Sequence, residues 1–230
     1  MEKILQLDSD LLLFINSHHT PFWDQVFWYA TQSWVWIPLY LLMIYVIWKL
    51  ATGIKFEQKR ERYIALIVLL AIAAIGLAAG LSDFVTSGIL KKWICRPRPT
   101  HSAIAHSLHI LHGYAGGKYG FPSSHAANTF AVATAYVMIV KRLRRTHHTF
   151  AVNKYSQITS VRILNAVMTL LVISYVLLNC YSRLYLGVHY PLDILCGAGI
   201  GLLLGWLFGL LFSRSIRPFV GPPYENIRIW

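Results

Sequence analysis

The sequence predicts an all-α membrane protein: a polytopic bundle of five transmembrane helices, with a sixth span left open and an interfacial or re-entrant helix at the N-terminus. Composition is the first reason, because 56% of the 230 residues are hydrophobic and only 13% are charged, against roughly 25% in a soluble domain. The second is that apolar runs approach the roughly 20 helical residues that cross a bilayer core. No domain boundary is visible, so residues 1–230 are predicted to form a single domain.

The predicted spans are the five longest apolar runs. They cover residues 34–50, 63–81 with an extension toward 90, 126–140, 163–180 and 192–212. The N-terminal segment differs, because residues 4–16 are short for a span and include Asp8 and Asp10. This segment is therefore predicted to lie at the membrane surface or to re-enter it. The aromatic residues that follow suit the headgroup level of a bilayer: Trp23, Phe27, Trp28 and Tyr29.

Small residues are concentrated in the third and fifth predicted spans. Small side chains let transmembrane helices approach each other closely, so we interpret these residues as packing positions and not as a ligand site. They are Ala126, Ala127, Ala131, Ala133 and Ala135 in the third span, and Gly197, Gly199, Gly201, Gly205 and Gly209 in the fifth.

The basic residues predict the orientation in the membrane. Most of the 21 lysines and arginines fall in residues 49–62, residues 141–162 and the tail after the fifth span, which five spans place on one side. The positive-inside rule makes that side cytoplasmic.

The net charge of +12 would also permit nucleic-acid binding, but no nucleic-acid-binding module is visible in the sequence. The predicted location is the plasma (bacterial inner) membrane, with no nucleic-acid partner.

Three polar stretches fall on the opposite, periplasmic or extracellular, side: residues 91–99, 120–125 and 182–193. Because the predicted topology brings them to one face, they can converge. Together they offer several cations, a hydroxyl, a helix start, two histidines and one carboxylate. Arginine forks and helix N-termini bind tetrahedral oxyanions, and two histidines can divide the roles of nucleophile and proton donor. The pattern indicates a phosphate-transfer site.

One histidine has a carboxylate at helical spacing. Asp193 follows His189 by four residues, so the two side chains are neighbours if this stretch is helical. A carboxylate bound to one imidazole nitrogen fixes the tautomer and leaves the other nitrogen free to attack.

The three stretches resemble the signature of the type 2 phosphatidic acid phosphatase (PAP2) superfamily, in its membrane branch. Its parts are Lys91-x6-Arg98-Pro99, then Pro122-Ser123-Ser124-His125, then Ser182-Arg183-x5-His189-x3-Asp193, which together span residues 91–193. One departure is Ser124, which stands where many members have glycine. The backbone at that turn is therefore expected to be slightly less free.

The resemblance implies a role for each matching residue. His189 would attack phosphorus and form a phosphohistidine, with Asp193 orienting it. His125 would protonate the leaving group and then activate the water that cleaves the intermediate. The phosphoryl oxygens would be bound by Lys91, Arg98, Ser123, Ser124 and Arg183. Members of this family generally need no divalent metal, so no metal or other cofactor is expected.

Several polar residues lie outside the signature. Lys92 and Arg96 are interpreted as an electrostatic funnel for an anionic headgroup, and Asp83 is predicted to pair with a catalytic cation such as Lys91. A histidine-rich loop is predicted to be mobile and titratable over the substrate entrance, with a metal site at its last two histidines as the weaker interpretation. Its histidines are His101, His106, His109 and His112.

The predicted activity is hydrolysis of a phosphomonoester or pyrophosphate of a membrane lipid that reaches the site from the outer leaflet. Candidate substrates are undecaprenyl pyrophosphate, phosphatidylglycerol phosphate, phosphatidate and the phosphates of lipid A, and the sequence does not rank them. Two alternatives stay open. The chain could transfer phosphate to an acceptor lipid, or it could bind or transport a lipid phosphate without catalysis.

Overall fold

The computed structural model describes residues 2–54, 60–148 and 155–220, and the regular structure of these ranges is helical. The α-helices are α1 (Glu2–Ser17), α2 (Pro21–Ala30), α3 (Ile37–Thr52), α4 (Arg60–Asp83), α5 (Lys91–Ile94), α6 (Ser124–His148), α7 (Tyr155–Tyr185), α8 (Pro191–Ser215) and α9 (Arg217–Val220). A π-helical segment, Phe84–Leu90, joins α4 to α5 without a break. The predicted all-α class is confirmed.

Helices lie at all five predicted spans. Four helical stretches are long and apolar enough to cross a bilayer: Ser33–Thr52, Glu61–Ile94, Ala166–Tyr185 and Pro191–Ser215. The third predicted span lies within α6, which does not meet the same criterion because polar residues such as Asn128 and Thr129 interrupt it. The helical membrane bundle is confirmed, whereas the count of five spans stays a prediction.

The outer surface of the bundle is apolar. Large side chains on α3, α4, α7 and α8 are more than half exposed, including Leu41, Leu69, Leu170 and Leu203. Monomeric soluble proteins rarely expose contiguous apolar surface on this scale. These side chains therefore suit contact with lipid.

Helix α6 lies at the centre and packs against α3, α4, α7 and α8. Its closest neighbour is α8, along a row of glycines four residues apart. A Cβ atom added to Gly201 would lie 2.2 Å from the Ala127 carbonyl oxygen, and one added to Gly197 would lie 2.3 Å from that of Ser123. The predicted packing role holds for Gly197, Gly201, Gly205 and Gly209, and it is wrong for Gly199, whose Cβ would meet nothing within 4 Å.

The N-terminal helices cover one end of the bundle. Helix α1 packs against α7 and α8, and α2 packs against α7. Asp8 and Asn16 of α1 are buried, with 4% and 1% of their surface exposed. The Asn16 amide donates a hydrogen bond to the carbonyl oxygen of Tyr185, the last residue of α7, at 2.7 Å. This end of α7 also carries the third polar stretch, so α1 lies over the end of the bundle where that stretch begins.

The other end of the bundle holds the end of α3, the start of α4, the end of α6 and the start of α7. Some basic residues on which the predicted orientation depends lie outside the described residues: Lys55, Lys59, Lys154 and Arg228. The cytoplasmic assignment of this end stays a prediction.

Candidate active site

The second polar stretch forms the start of α6. Ser123 precedes the helix, and its hydroxyl lies 3.5 Å from the Ala126 backbone nitrogen, the position of an N-cap. The Ser123 backbone N–H donates to the Asp193 carbonyl oxygen at 2.9 Å, which joins this turn to the start of α8. Ser123 and Ser124 are buried. A helix N-terminus is thereby held in the interior of the site, where its free N–H groups favour an anion.

Ser124, the departure from the family pattern, contacts the first polar stretch. Lys91 donates a hydrogen bond to the Ser124 hydroxyl at 2.7 Å, and the Ser87 hydroxyl lies 2.7 Å from the same oxygen. Ser124 is helical and is not among the described residues with a positive φ. The helical backbone at Ser124 therefore shows no sign of the restriction that we expected from replacing glycine. The serine hydroxyl instead positions Lys91.

Asp83 reaches Lys91 indirectly. Its carboxylate accepts a hydrogen bond from Ser87 at 3.3 Å, and Ser87 contacts Ser124, which accepts from Lys91. The predicted direct pair between Asp83 and Lys91 is replaced by this chain of two hydroxyls. The π-helical segment Phe84–Leu90 separates the two residues, so they do not keep the α-helical register that the prediction assumed.

The loop after α5 presents two arginines to the third polar stretch. Residues Pro97 and Tyr119 form an isolated antiparallel bridge, with the Arg98 N–H bonded to the Lys118 carbonyl at 3.0 Å and the Gly120 N–H to the Arg96 carbonyl at 2.9 Å. This pairing fixes the backbone on both sides of Pro97. As a result, both guanidinium groups reach the same histidine and aspartate pair.

His189 lies between an aspartate and an arginine. Its Nδ1 is 3.3 Å from Asp193 Oδ2, and its Nε2 is 2.9 Å from Nη1 of Arg98. Because an arginine can only donate, Nε2 accepts and Nδ1 carries the proton that faces Asp193. His189 is 1% exposed. This is the tautomer that leaves a lone pair on Nε2 for attack.

Electrostatics keep His189 neutral. Burial, followed by the positive charges of Arg98, Arg183 and Lys91, holds the pKa of His189 well below its ordinary value. The charge of His125 contributes in the same direction, so the two imidazoles lie within electrostatic range of each other. A neutral imidazole is the form that can act as a nucleophile.

Arg96 fixes Asp193 and does not point outward as a funnel residue. Its Nη1 donates to Asp193 Oδ1 at 2.8 Å and its Nη2 donates to Asp8 Oδ2 at 2.6 Å. Its guanidinium also lies 4.1 Å from the centre of the Tyr190 ring. The funnel interpretation is therefore wrong for Arg96, because two buried carboxylates hold its fork. Lys92 is exposed, as that interpretation requires.

Asp8 is the site residue that the sequence argument missed. Besides Arg96, its carboxylate accepts from the backbone N–H of Leu192 at 2.8 Å, in the first turn of α8. A buried acid at a helix N-terminus is favourable. An acid on an otherwise apolar N-terminal segment was a hint in the sequence that Asp8 has a role. Nothing in the sequence identified its partner, Arg96, which lies 88 residues away.

Two arginines carry donors that are free to bind an anion. Arg183 is 1% exposed and its Nη2 donates to the Tyr114 hydroxyl at 3.3 Å. Among the buried side-chain atoms of the described residues, the Nε of Arg183 and the Nε of Arg98 have no hydrogen-bond partner. Burial and the charge of Arg183 also lower the pKa of Arg98. Crowded cations with unsatisfied donors are what a phosphate group would neutralise.

His125 begins α6 beside a polar cavity of about 250 Å³. Burial, followed by the positive charges of Arg183, Lys91 and Arg98, lowers the pKa of His125 to about 3. The cavity extends along α6 between α3, α4 and α7. Its polar lining residues include Thr31, Ser33, Tyr40, Asn128, Thr129 and Asn179.

The histidine-rich loop does not place its last two histidines together. His109 contacts Asp24 of α2 at 3.2 Å, whereas the His112 ring meets the edge of the Trp28 ring. His101 and His106 are exposed. The weaker interpretation, a metal held by His109 and His112, is therefore wrong.

Comparison with known proteins matches this geometry to a family. The sequence profile of the PAP2 superfamily matches residues 62–217. The lipid A 4′-phosphatase of Bacteroides thetaiotaomicron is 30% identical over 210 residues, which are 90% of this chain and 78% of that protein. The lipid A 4′-phosphatase of Porphyromonas gingivalis is 28% identical over 241 residues, covering 100% of this chain and 87% of that protein.

A solved structure has the same fold. The transmembrane PAP2-type phosphatidylglycerolphosphate phosphatase from Bacillus subtilis superposes with a TM-score of 0.58 at 20% identity, covering 95% of this chain and 90% of that one. The profile match includes all three polar stretches and more than half of the chain. The chain belongs to the PAP2 superfamily.

Proposed function

We propose that this protein is an integral membrane lipid phosphatase that hydrolyses a phosphate ester or pyrophosphate of a membrane lipid through a phosphohistidine on His189. The observation that carries the proposal is the hydrogen-bonded series Arg98–His189–Asp193–Arg96. It presents a neutral, oriented nucleophile within a cluster of cations. Membership of a superfamily whose similar members are named as lipid phosphatases supports the class.

In the first step, Nε2 of His189 attacks phosphorus. A P–N bond forms and the P–O bond to the leaving group breaks. His125, neutral in the empty site, takes up a proton once the phosphate charge offsets the neighbouring cations, and it gives that proton to the leaving oxygen. Arg98 donates to Nε2 in the structure, so the incoming phosphate must draw the Arg98 fork onto its own oxygens before Nε2 is free. Asp193 stabilises the positive charge that develops on the imidazole.

In the second step, neutral His125 takes a proton from water, and the water oxygen attacks phosphorus. The P–N bond breaks, inorganic phosphate leaves and His189 is neutral again. The charge that develops on the phosphoryl oxygens is stabilised by Lys91, Arg98, Arg183 and the N-terminus of α6, with Ser123 and Ser124 shaping that turn. Such preorganised donors are commonly the largest contribution to catalysis.

The substrate we favour is the 4′-phosphate of lipid A. Two similar proteins that align over most of the chain are named as lipid A 4′-phosphatases. Independently, the cavity beside His125 has a polar lining, and His125 protonates the leaving group. A leaving alcohol on a sugar ring can hydrogen-bond to such a lining, but so can the phosphate that leaves with a polyprenyl chain, so the choice among the substrates rests on the two similar proteins.

The lipid would reach the site from the outer leaflet, so the site would face the periplasm of the bacterial inner membrane. The support is the concentration of basic residues toward the opposite end of the bundle. The exposed apolar side chains on α3, α4, α7 and α8 support a path in which the substrate's acyl chains stay beside the helices while its headgroup enters from the side.

The test is a phosphate-release assay of the purified protein against four lipids, with His189→Ala as the blank. The panel is lipid A 4′-phosphate, undecaprenyl pyrophosphate, phosphatidylglycerol phosphate and phosphatidate. We expect free phosphate, fastest from lipid A, and none from the blank. Faster phosphate release from another lipid would overturn the assignment of lipid A as the substrate, but the protein would still be a lipid phosphatase. A phosphorylated acceptor lipid in place of free phosphate would make the protein a phosphotransferase, and no turnover would remove the proposal.

A further inference from the structure

Outside the active site, two histidines and one aspartate converge at the α1–α2 turn. His19 lies in this turn, Asp24 in the first turn of α2, and His109 in the loop between α5 and α6. One donor atom from each residue, an imidazole nitrogen or a carboxylate oxygen, lies within 4.8 Å of the other two. His109 Nε2 is 3.2 Å from Asp24 Oδ2, and the two imidazole rings stack with centroids 3.8 Å apart.

The surroundings of the cluster orient its donors. The Tyr185 hydroxyl donates to Asp24 Oδ1 at 2.8 Å, which leaves Oδ2 directed at His109. The side chain of Asn16 accepts from the His109 N–H at 2.8 Å and donates to the His109 carbonyl oxygen at 3.1 Å. Both contacts hold His109 by its backbone, so its ring nitrogens stay available. Metal ligands in proteins are typically oriented by hydrogen bonds from neighbouring residues, as Tyr185 and Asn16 orient Asp24 and His109 here.

We propose that His19, Asp24 and His109 bind a divalent transition metal of the zinc class. Two imidazoles and one carboxylate are ligands that zinc takes in proteins with three protein ligands and an open fourth position. Tetrahedral ligands with zinc–ligand bonds of about 2.0–2.1 Å lie about 3.3 Å apart, so binding would draw the donors together by up to about 1.5 Å. It would also tilt the two stacked rings apart, because a metal ion lies in the plane of each imidazole that binds it. His19 is exposed, which gives the ion access from solvent.

The ion would tie three separate parts of the chain together at the active-site end of the bundle. It would join the α1–α2 turn and α2 to the loop that carries Tyr114, whose hydroxyl contacts Arg183. Asp24 connects the ion to Tyr185, two residues after Arg183. With water as its fourth ligand, the ion would hold the loop over the site, and the two chemical steps at His189 do not involve the ion.

The test measures metal binding directly, on protein purified with a tag that contains no histidine. The chelator-treated full-length protein is titrated with Zn²⁺, its metal content is measured after desalting, and its unfolding temperature is recorded with and without the ion. Co²⁺ gives an independent readout, because a tetrahedral nitrogen and oxygen site gives it visible absorption bands. The variants are His109→Ala and His19→Ala, and the matched control is His106→Ala, an exposed histidine of the same loop.

We expect about one Zn²⁺ per chain, a rise in unfolding temperature on binding, and loss of both in His109→Ala and His19→Ala but not in His106→Ala. If His109→Ala fails to fold, His19→Ala decides, because its exposed side chain is dispensable for packing. The proposal is overturned if the wild type retains no metal after desalting, or if His19→Ala binds as tightly as the wild type. In that result the cluster is only a hydrogen-bonded contact between α2 and the loop.

Discussion

Asp8 and Arg96 position His189, the proposed nucleophile, without contacting it. Arg96 holds Asp193 on one nitrogen and Asp8 on the other, and Asp8 also accepts from the first turn of α8. Asp193 in turn orients His189. Asp8 of the N-terminal helix therefore acts on His189 through Arg96 and Asp193, and it is a positioning residue.

We expect Asp8→Asn to lower kcat by about ten-fold or more with little change in KM, because it removes the charge from hydrogen bonds worth about 1.5–3 kcal/mol. Asp10→Asn is the matched control, since Asp10 is exposed on the same helix and its carboxylate accepts a hydrogen bond from Gln6, outside the site. The measurement is steady-state phosphate release. Arg96→Gln should also lower kcat, and the double variant should lose less than the product of the two single losses. Equal activity of the Asp8 and Asp10 variants would contradict this role.

His189 gives a prediction about pH. Burial and three neighbouring cations lower its pKa, so the free enzyme keeps this imidazole neutral as the pH falls through the ordinary value of about 6.5. It becomes protonated, and non-nucleophilic, only at lower pH. Imidazole NMR of ¹³C-histidine-labelled protein, with the signal assigned by its loss in His189→Gln, should show a midpoint below about 6.5. A midpoint above that value would mean that the cation cluster does not act on His189.

At the scale of elements, the glycine row of α8 determines how closely the start of α6 approaches the start of α8. Gly197 lies against Ser123 and Gly201 lies one turn further along against Ala127. The hydrogen bond from Ser123 to the Asp193 carbonyl depends on the same close approach. Helix packing therefore sets the distance between the second and third polar stretches.

Gly201→Ala should destabilise the bundle by about 1–3 kcal/mol, the usual cost of overpacking, because its Cβ would lie 2.2 Å from a backbone oxygen that cannot move alone. Gly199→Ala is the control on the same helix, since its Cβ meets nothing within 4 Å. We expect that control to be neutral or slightly stabilising, as alanine is the better helix former. Thermal unfolding in detergent compares the two, and similar unfolding temperatures would rule out the close α6–α8 contact.

The sequence predicted the long helices because their apolar runs are continuous, and it placed the three polar stretches because short motifs mark them. It did not predict the contacts of residues 95–120, where no periodicity exists to follow. Tyr114 and Arg96 lie in this irregular segment, and their partners are Arg183 of α7, Asp193 of α8 and Asp8 of α1. The error at Asp83 has a different origin, because a π-helical segment changes the register of a helix without a signal in composition.

At the scale of the whole molecule, one end of the bundle gathers the ends of α5 and α7, the starts of α6 and α8, and the covering helices α1 and α2. The predicted topology brought the three stretches to one face, and the structure connects them by hydrogen bonds from Lys91 to Ser124, from Arg98 to His189 and from Ser123 to Asp193. The N-terminal segment was predicted to lie at the membrane surface or to re-enter it, with a sixth span left open. Its contribution of Asp8 to the site could not be foreseen because the contact is long-range.

The most direct test of the account is to trap the covalent intermediate. The protein is mixed with a ³²P-labelled lipid substrate, quenched with alkali within one turnover, digested, and the labelled peptide is identified by mass spectrometry. We predict an alkali-stable, acid-labile phosphate on His189 that is absent from His189→Gln. The His125→Ala variant cannot activate water, so it should accumulate more of the intermediate. This comparison uses a substrate whose leaving group is good enough to depart without a proton. Label on another residue, or turnover by His189→Gln, would contradict the account.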